Sequence, residues 1–426
     1  MAVSFISFIL VLACGSGVTA DEPAVPLWIV TEKTPEDGMN QTLRDAVYAF
    51  SVSHSNVSIE LEILPSGVES RNRRVQELHE LMAQGEGPDV FLLPAKHSIN
   101  TGTSIRGVEP LFSNIPYAMR QGKFADIAQY YDEDSELNKD ALQQTVMDAG
   151  CVGEQRYLLP LSFDMNVFYF FSDGENAELK PEMTVLDVLD YGLRSDDPQL
   201  AWALTDAAAP RYRPEMIFSN LIDYDTGNVV LSFEEVEQFF DTYQRLSLKV
   251  KSVEGYRDNV GLWEYFKTST PNQAVLPCYL SSVSMAMTFS AIASMEGKTL
   301  TAIPMRASNG EVTAMVSYFG AVSANARYPK LGYAFLRTLL MPEYQWRVGV
   351  TGGVQMTDWS VRVGGSVEAT WPEICSKFSS QKVRRTLEAL NASDEWVTQI
   401  TDQITRADFR VDINLTGALN QLAEDG

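Results

Sequence analysis

The chain has little of what metal, redox or nucleotide chemistry requires. Its 426 residues hold only three histidines, His54, His79 and His97, and four cysteines, none of them at CxxC spacing. No set with zinc or iron spacing can be assembled from these, so no metal and no metal chemistry are expected. The first strand-helix-strand unit contains neither GxGxxG nor GxxxxGKS, which removes the main support for a bound nucleotide, and no cofactor is expected. Basic residues are scarce: 33 Lys and Arg stand against 56 Asp and Glu, a net charge of -23 whose average field repels a phosphate backbone. Nucleic acid is therefore excluded as a partner. The one basic cluster, "RNRRVQELHELMAQ", reads as a solvated helix face and is assigned no function.

Long apolar runs are also lacking, with one exception at the start, "MAVSFISFILVLACGSGVTADEP". That run is too short to span a bilayer and fits the core of a signal peptide, so export is expected, with residues 1–20 as signal and start of a tether. Two cleavage readings stand. "VLAC" ends at Cys14 as a lipobox does, which would lipidate that cysteine and make a lipid anchor the sole membrane contact; "VTAD" offers an ordinary site between Ala20 and Asp21. If Cys14 is lipidated, Cys151, Cys278 and Cys375 cannot all pair, and no disulfide framework holds the fold. The sequons at Asn40, Asn56, Asn391 and Asn414 are about what chance supplies.

What is present is ordinary globular composition, 45% hydrophobic and 21% charged, in a chain long enough for two cores. "PLWIVTE" reads as a strand, "MNQTLRDAVYAFSVSH" as a helix, "VSIELEIL" as an alternating strand and "RRVQELHELMAQ" as a helix. Gly85, Gly87 and Pro88 then end that helix, and "VFLL" follows without polar alternation, as suits a parallel strand buried on both faces. This order predicts a parallel α/β sheet, whose ligands collect beyond the carboxyl ends of the strands. Later, "EQRYLLPLSFDMNVFYFF" is a long extended segment interrupted by Pro160, and helices follow at "MTVLDVLDYGL", "RPEMIFSNLIDY" and "SFEEVEQFFDTYQRLSLKV". Ser232 and Glu235 form a capping-box pattern for the last of these. Further apolar segments at "QAVLPCYLSSVSMAMTF" and "AMVSYFGAVSA" precede a helix in "YPKLGYAFLRTLLMPEYQ". No linker marks a boundary, so two domains joined by several extended crossings are expected.

Together these segments resemble the extracellular solute-binding proteins of bacterial ABC importers, the carbohydrate-type relatives of maltose-binding protein. The residues that carry the resemblance are "AVYAFSVSHSNVSIELEIL", "MAQGEGPDVFLL", "FADIAQYYDEDSELNKDAL", "RYLLPLSFDMNVFYF", "AVSANARYPKLGYAFLRTLLMPEYQ" and "GVTGGVQM", which span nearly the whole exported chain. The resemblance implies a two-lobed periplasmic-binding-protein fold of class α/β, with a ligand cleft between discontinuous lobes and hinge closure on the solute. It places residues 24–155 and 282–325 in the first lobe, and 156–281 and 326–426 in the second. It further implies a monomer that binds a sugar or oligosaccharide reversibly and delivers it to permease subunits at the outer face of the cell membrane, or in a periplasm.

A sugar site needs aromatic faces and paired hydrogen-bonding groups. Ser162, Asp164 and Asn166 fall on one face of an extended "LPLSFDMN" and Phe163, Met165 and Val167 on the other, so Asp164 and then Asn166 are the first candidates to bind hydroxyls. Trp263 and Tyr265 are candidate platforms or helix core. Tyr279 follows the proline break in "VLPCYL", and Tyr318 is a candidate near a hinge or a packing residue. Trp202 reads as core, and Glu32 ends the first strand either facing the cleft or in a solvated turn. Pro94 and Ala95 offer no side-chain hydrogen bond at the end of "VFLL", where His97 or backbone groups would have to substitute. Two rivals to a transport receptor remain: a surface sensor or adhesin using the same cleft, and an enzyme with Cys278 as nucleophile, which would need a base within reach.

Overall fold

A computed structural model describes residues 24–32, 37–65, 67–94, 110–173, 178–208, 217–218, 232–251, 274–280, 297–342, 344–345, 354–355 and 409–412. The described strands are β1 (Val25–Glu32), β2 (Val57–Leu64), β3 (Val90–Pro94), β4 (Cys151–Val152), β5 (Gln155–Arg156), β6 (Leu158–Ser172), β7 (Ala274–Leu280), β8 (Thr299–Pro304), β9 (Val312–Val322), β10 (Val354–Gln355) and β11 (Phe409–Asp412). Helices α1 (Asp37–Ser53) and α2 (Val68–Ala83) alternate with the first three strands. The chain divides into two compact units, Met1–Phe163 with Val316–Thr357 and Thr416–Gly426, and Asp164–Met315 with Asp358–Leu415.

In the first unit β1 lies between β2 and β3 and is parallel to both. Val90, Phe91, Leu92 and Leu93 are all buried, which is why β3 needs no polar alternation. Its entry is set by Gly85 and Gly87, at φ 78° and 109°, values that release the chain from α2 before Pro88. On its other side β3 meets β9 running antiparallel, from Val90 opposite Val322 to Pro94 opposite Tyr318. The sheet is therefore mixed, not purely parallel. Helix Pro329–Leu340 packs on α1, with Phe335 edge-on to Phe50 at 5.5 Å. The buried carboxylate of Asp89 ties the amino end of this sheet, accepting from the Trp28 N–H at 2.9 Å and the Arg327 N–H at 3.2 Å.

In the second unit β6 pairs antiparallel with β7 and β8, and β11 lies parallel to β9. Phe168 and Phe170 enter a core with Leu189, Leu204, Phe239 and Leu246 from helices Val185–Arg194, Pro198–Ala207 and Phe233–Val250. Thr184 and Asp187 cap the first helix reciprocally, and the Lys249 ammonium donates to the carbonyls of Gly192, Leu193 and Ser195 at its other end. Ser232 accepts from the Glu235 N–H, the serine half of a capping box, and Glu235 Oε1 accepts from the Ser308 hydroxyl at 2.7 Å. Trp202 packs, partly exposed, against this core.

Two expectations are corrected. Pro160 does not interrupt β6, which runs unbroken from Leu158 to Ser172. The basic cluster is not simply a solvated face, because Arg71 is 6% exposed and paired. The chain passes between the two units at Phe163/Asp164 and Met315/Val316, and again at Thr357/Asp358 and Leu415/Thr416. Helix Pro329–Leu340 belongs with the first unit because its apolar face covers α1, and β8 belongs with the second because it pairs with β6.

Candidate functional site

The carboxyl ends of β1 and β3 in the first unit gather polar groups that are all engaged with one another. Tyr318, on the stretch of β9 beside β3, is buried; its hydroxyl donates to the Leu92 carbonyl at 3.0 Å and lies 2.5 Å from Thr31 Oγ1. A phenol has one proton, so Thr31 must donate to Tyr318. Burial pushes the Tyr318 hydroxyl well above its usual range, so it stays protonated. Thus Tyr318 laces β9, β3 and β1 together. Glu32 is 5% exposed, and its Oε1 lies 2.6 Å from Arg71 Nη2 on α2. It sits in neither a solvated turn nor an open position: burial raises its pKa above the usual carboxylate value, opposed by Arg71 and by a hydrogen bond from the Leu111 backbone.

The second gathering is the middle of β6. Ser162 is buried with its hydroxyl 3.0 Å from that of Ser317 on β9, and Gln355 of β10 stands opposite it in register. Phe163, Met165 and Val167 are buried, as the apolar half of the alternation requires. Asp164 lies within the strand. Asn166 is partly exposed, its backbone carbonyl accepts from the Met305 N–H at 2.9 Å, and its side-chain Oδ1 is buried with no hydrogen-bond partner. Tyr279 of β7 stands opposite Asn166 and Cys278 opposite Val167. Pairing of β6 thus passes from β10 at Ser162 and Phe163 to β7 from Met165 onward.

An antiparallel β9 at the edge of a parallel three-strand unit, repeated crossing of the chain between two α/β units, and the long β6 together define the architecture. No family model and no curated protein matches the chain. Solved structures do. A periplasmic oligogalacturonide-binding protein of Yersinia enterocolitica is 14% identical at a TM-score of 0.52, over 94% of this chain and 98% of that one. The cyclic alpha-maltosyl-1,6-maltose binding protein of Arthrobacter globiformis is 13% identical at 0.50, over 92% and 89%. A de novo designed cysteine esterase is 13% identical at 0.54, over 95% and 100%. The fold is that of the periplasmic binding proteins.

Within this periplasmic-binding fold, Trp263, Tyr265, His97 and Cys14 lie outside the described residues. Among the described residues no group of three or more His, Cys, Asp or Glu side chains is placed to hold a metal, and no helix is long and apolar enough to cross a membrane. Sequence reasoning missed Ser317 and Arg71. Ser317 carries no signal of its own, since "MVSYFG" reads as an apolar strand. Arg71 had one: a glutamate closing an otherwise apolar strand, once buried, requires a cation.

Proposed function

We propose that the chain is the solute-binding component of an ABC importer and takes up a sugar or oligosaccharide reversibly, without turning it over. The observation that carries this reading is the polar face of β6, where Asn166 Oδ1 is buried and unpaired. A buried acceptor left without a donor costs about 1 to 3 kcal/mol, and a ligand hydroxyl at that position relieves it. In this reading Asp164 takes a pair of hydroxyls and Ser162 and Asn166 flank it, with Tyr279 as the neighbouring aromatic residue across β7. The fold likeness to proteins named for oligogalacturonide and cyclic maltosyl-maltose binding supports a carbohydrate over other small solutes. Export, and anchoring through Cys14 at the outer face of the membrane, belong to the same reading. A mature protein that starts at an unmodified Asp21 by mass spectrometry removes the anchor.

A thermal-shift panel that includes maltotriose and trigalacturonate tests it, since a ligand at 100 times its Kd stabilises the native state by about 2.7 kcal/mol. In calorimetry with the sugar so found, Asp164→Asn weakens binding by about 1.5 to 3 kcal/mol, with little change in the melting temperature of the free protein. Wild-type affinity in that variant removes Asp164 from the site. The likeness to a designed cysteine esterase makes ester hydrolysis the second reading, with Cys278 as its nucleophile. Turnover of an activated ester that Cys278→Ala abolishes favours it over transport.

A further inference from the structure

Glu32 and Arg71 are 5% and 6% exposed and pair at 2.6 Å at the carboxyl end of β1. Taking two charges out of water is expensive, and a pair replaced by apolar groups of similar volume is often neutral or stabilising. Glu32 fits that description. Burial outweighs Arg71 and Leu111 in setting its pKa, which is raised above the ordinary carboxylate value. A carboxyl whose folded pKa is raised binds protons more tightly folded than unfolded, so its contribution to stability falls as pH rises out of the carboxylate range.

The same carboxylate has a second engagement. It accepts a hydrogen bond from the Leu111 backbone, while His79 on α2 lies 2.7 Å from the Leu111 carbonyl. The Leu111 side chain is 1% exposed. Both polar groups of one backbone residue are thus gripped by side chains of β1 and α2, at the end of the sheet where open α/β folds place their ligands. Tyr318 and Thr31 lie beside Glu32 and are already paired with each other, so neither replaces Glu32 as the acceptor for Leu111.

We propose that Glu32, held in place by Arg71, is a positioning residue for solute binding: it fixes the backbone at Leu111 on the ligand side of the first unit and touches no solute itself. This rests on the carbohydrate-binding reading above. Two full-length double variants test it, Glu32→Gln with Arg71→Met and Glu32→Met with Arg71→Met. Both remove the charges, and only the first keeps an acceptor for Leu111. The expected result is that the Met version exchanges its Leu111 amide about tenfold faster than the Gln version and binds the panel sugar, maltotriose or trigalacturonate, about tenfold more weakly, as loss of one hydrogen bond implies. Melting temperatures of the two free variants stay close. Equal Leu111 exchange in both variants overturns the positioning role, as does a loss of affinity matched by an equal loss of thermal stability. A wild type that binds no sugar sinks the carbohydrate reading instead, and the Leu111 comparison still decides whether Glu32 fixes that backbone.

Discussion

The two units bury different things. Among the described residues the first buries the acidic and basic side chains Glu32, Arg71, Asp89 and Arg156, whereas the second buries one, Glu235. The charges in the first unit tie separate segments together: Asp89 joins β1, β3 and the turn at Arg327, and Arg156 reaches the Met147 carbonyl at 2.6 Å and lies over the Tyr131 ring. In the second unit the helices meet the sheet through aromatic and aliphatic packing, and the Lys249 cap sits at their margin. Apolar packing tolerates small adjustments, while a buried charge accepts only a matched partner. The first unit is thereby specified in detail where its strands end, and the second is specified by volume.

The strongest way to break this comparison is in the second unit. Phe239→Ala removes a ring that meets Phe218 at 5.3 Å and stacks on Tyr243 at 5.6 Å, and should cost about 3 to 5 kcal/mol by chemical denaturation. Amide exchange should accelerate across Val185–Val250 and leave β1 and β3 unchanged; acceleration in both units would show that they unfold as one. Next in size is Asp89→Ala, which leaves the part-buried Trp28 and Arg327 N–H groups without their acceptor. A loss of about 3 kcal/mol is expected, with faster exchange at the Trp28 amide. A loss below about 1 kcal/mol would mean that water replaces the carboxylate and that the first unit does not depend on its buried charge.

A smaller effect sharpens the comparison through pH. Burial pushes the Asp134 carboxyl up, but the Tyr333 hydroxyl at 2.8 Å, the Glu136 and Leu137 backbone and Arg337 together hold its pKa below the ordinary value. A lowered folded pKa means stability that is complete above the unfolded carboxylate value and lost as pH falls through the folded one. Tyr333→Phe should cost about 1 kcal/mol at neutral pH and move the acid unfolding midpoint to higher pH, read by far-UV circular dichroism. The smallest effect belongs to Arg74, one turn along α2 from Arg71. It pairs with Glu62 at 2.6 Å and Glu77 at 2.9 Å but remains partly exposed, so Arg74→Met should cost less than about 1 kcal/mol and shrink further in high salt.

That pair of arginines shows where sequence reasoning stops. The helix holding "RNRRVQ" was legible from its periodicity, yet nothing in the spacing of Arg71 and Arg74 says that one meets a buried glutamate 39 positions earlier and the other meets partly exposed glutamates. The polar face of β6 was more legible. Period-two alternation sorts Ser162, Asp164 and Asn166 from Phe163, Met165 and Val167, and the buried apolar set is as the pattern demands. The partner of Ser162 was not, because Ser317 reaches it across 155 positions and only strand pairing brings the two hydroxyls together.

By itself the sequence determined the alternation of β1, α1, β2, α2 and β3, the glycine exit from α2 and the burial of Val90–Leu93, all of which depend on residues within a turn or a strand of one another. It also determined the polar and apolar sides of β6. Tertiary structure alone decided that β9 lies antiparallel beside β3, that helix Pro329–Leu340 covers α1, that β6 runs straight through Pro160, and that Glu32, Arg71 and Leu111 meet at one edge. The physical reason is that local pattern records which face of an element is apolar, whereas pairing and burial of charge depend on which distant element comes to cover that face.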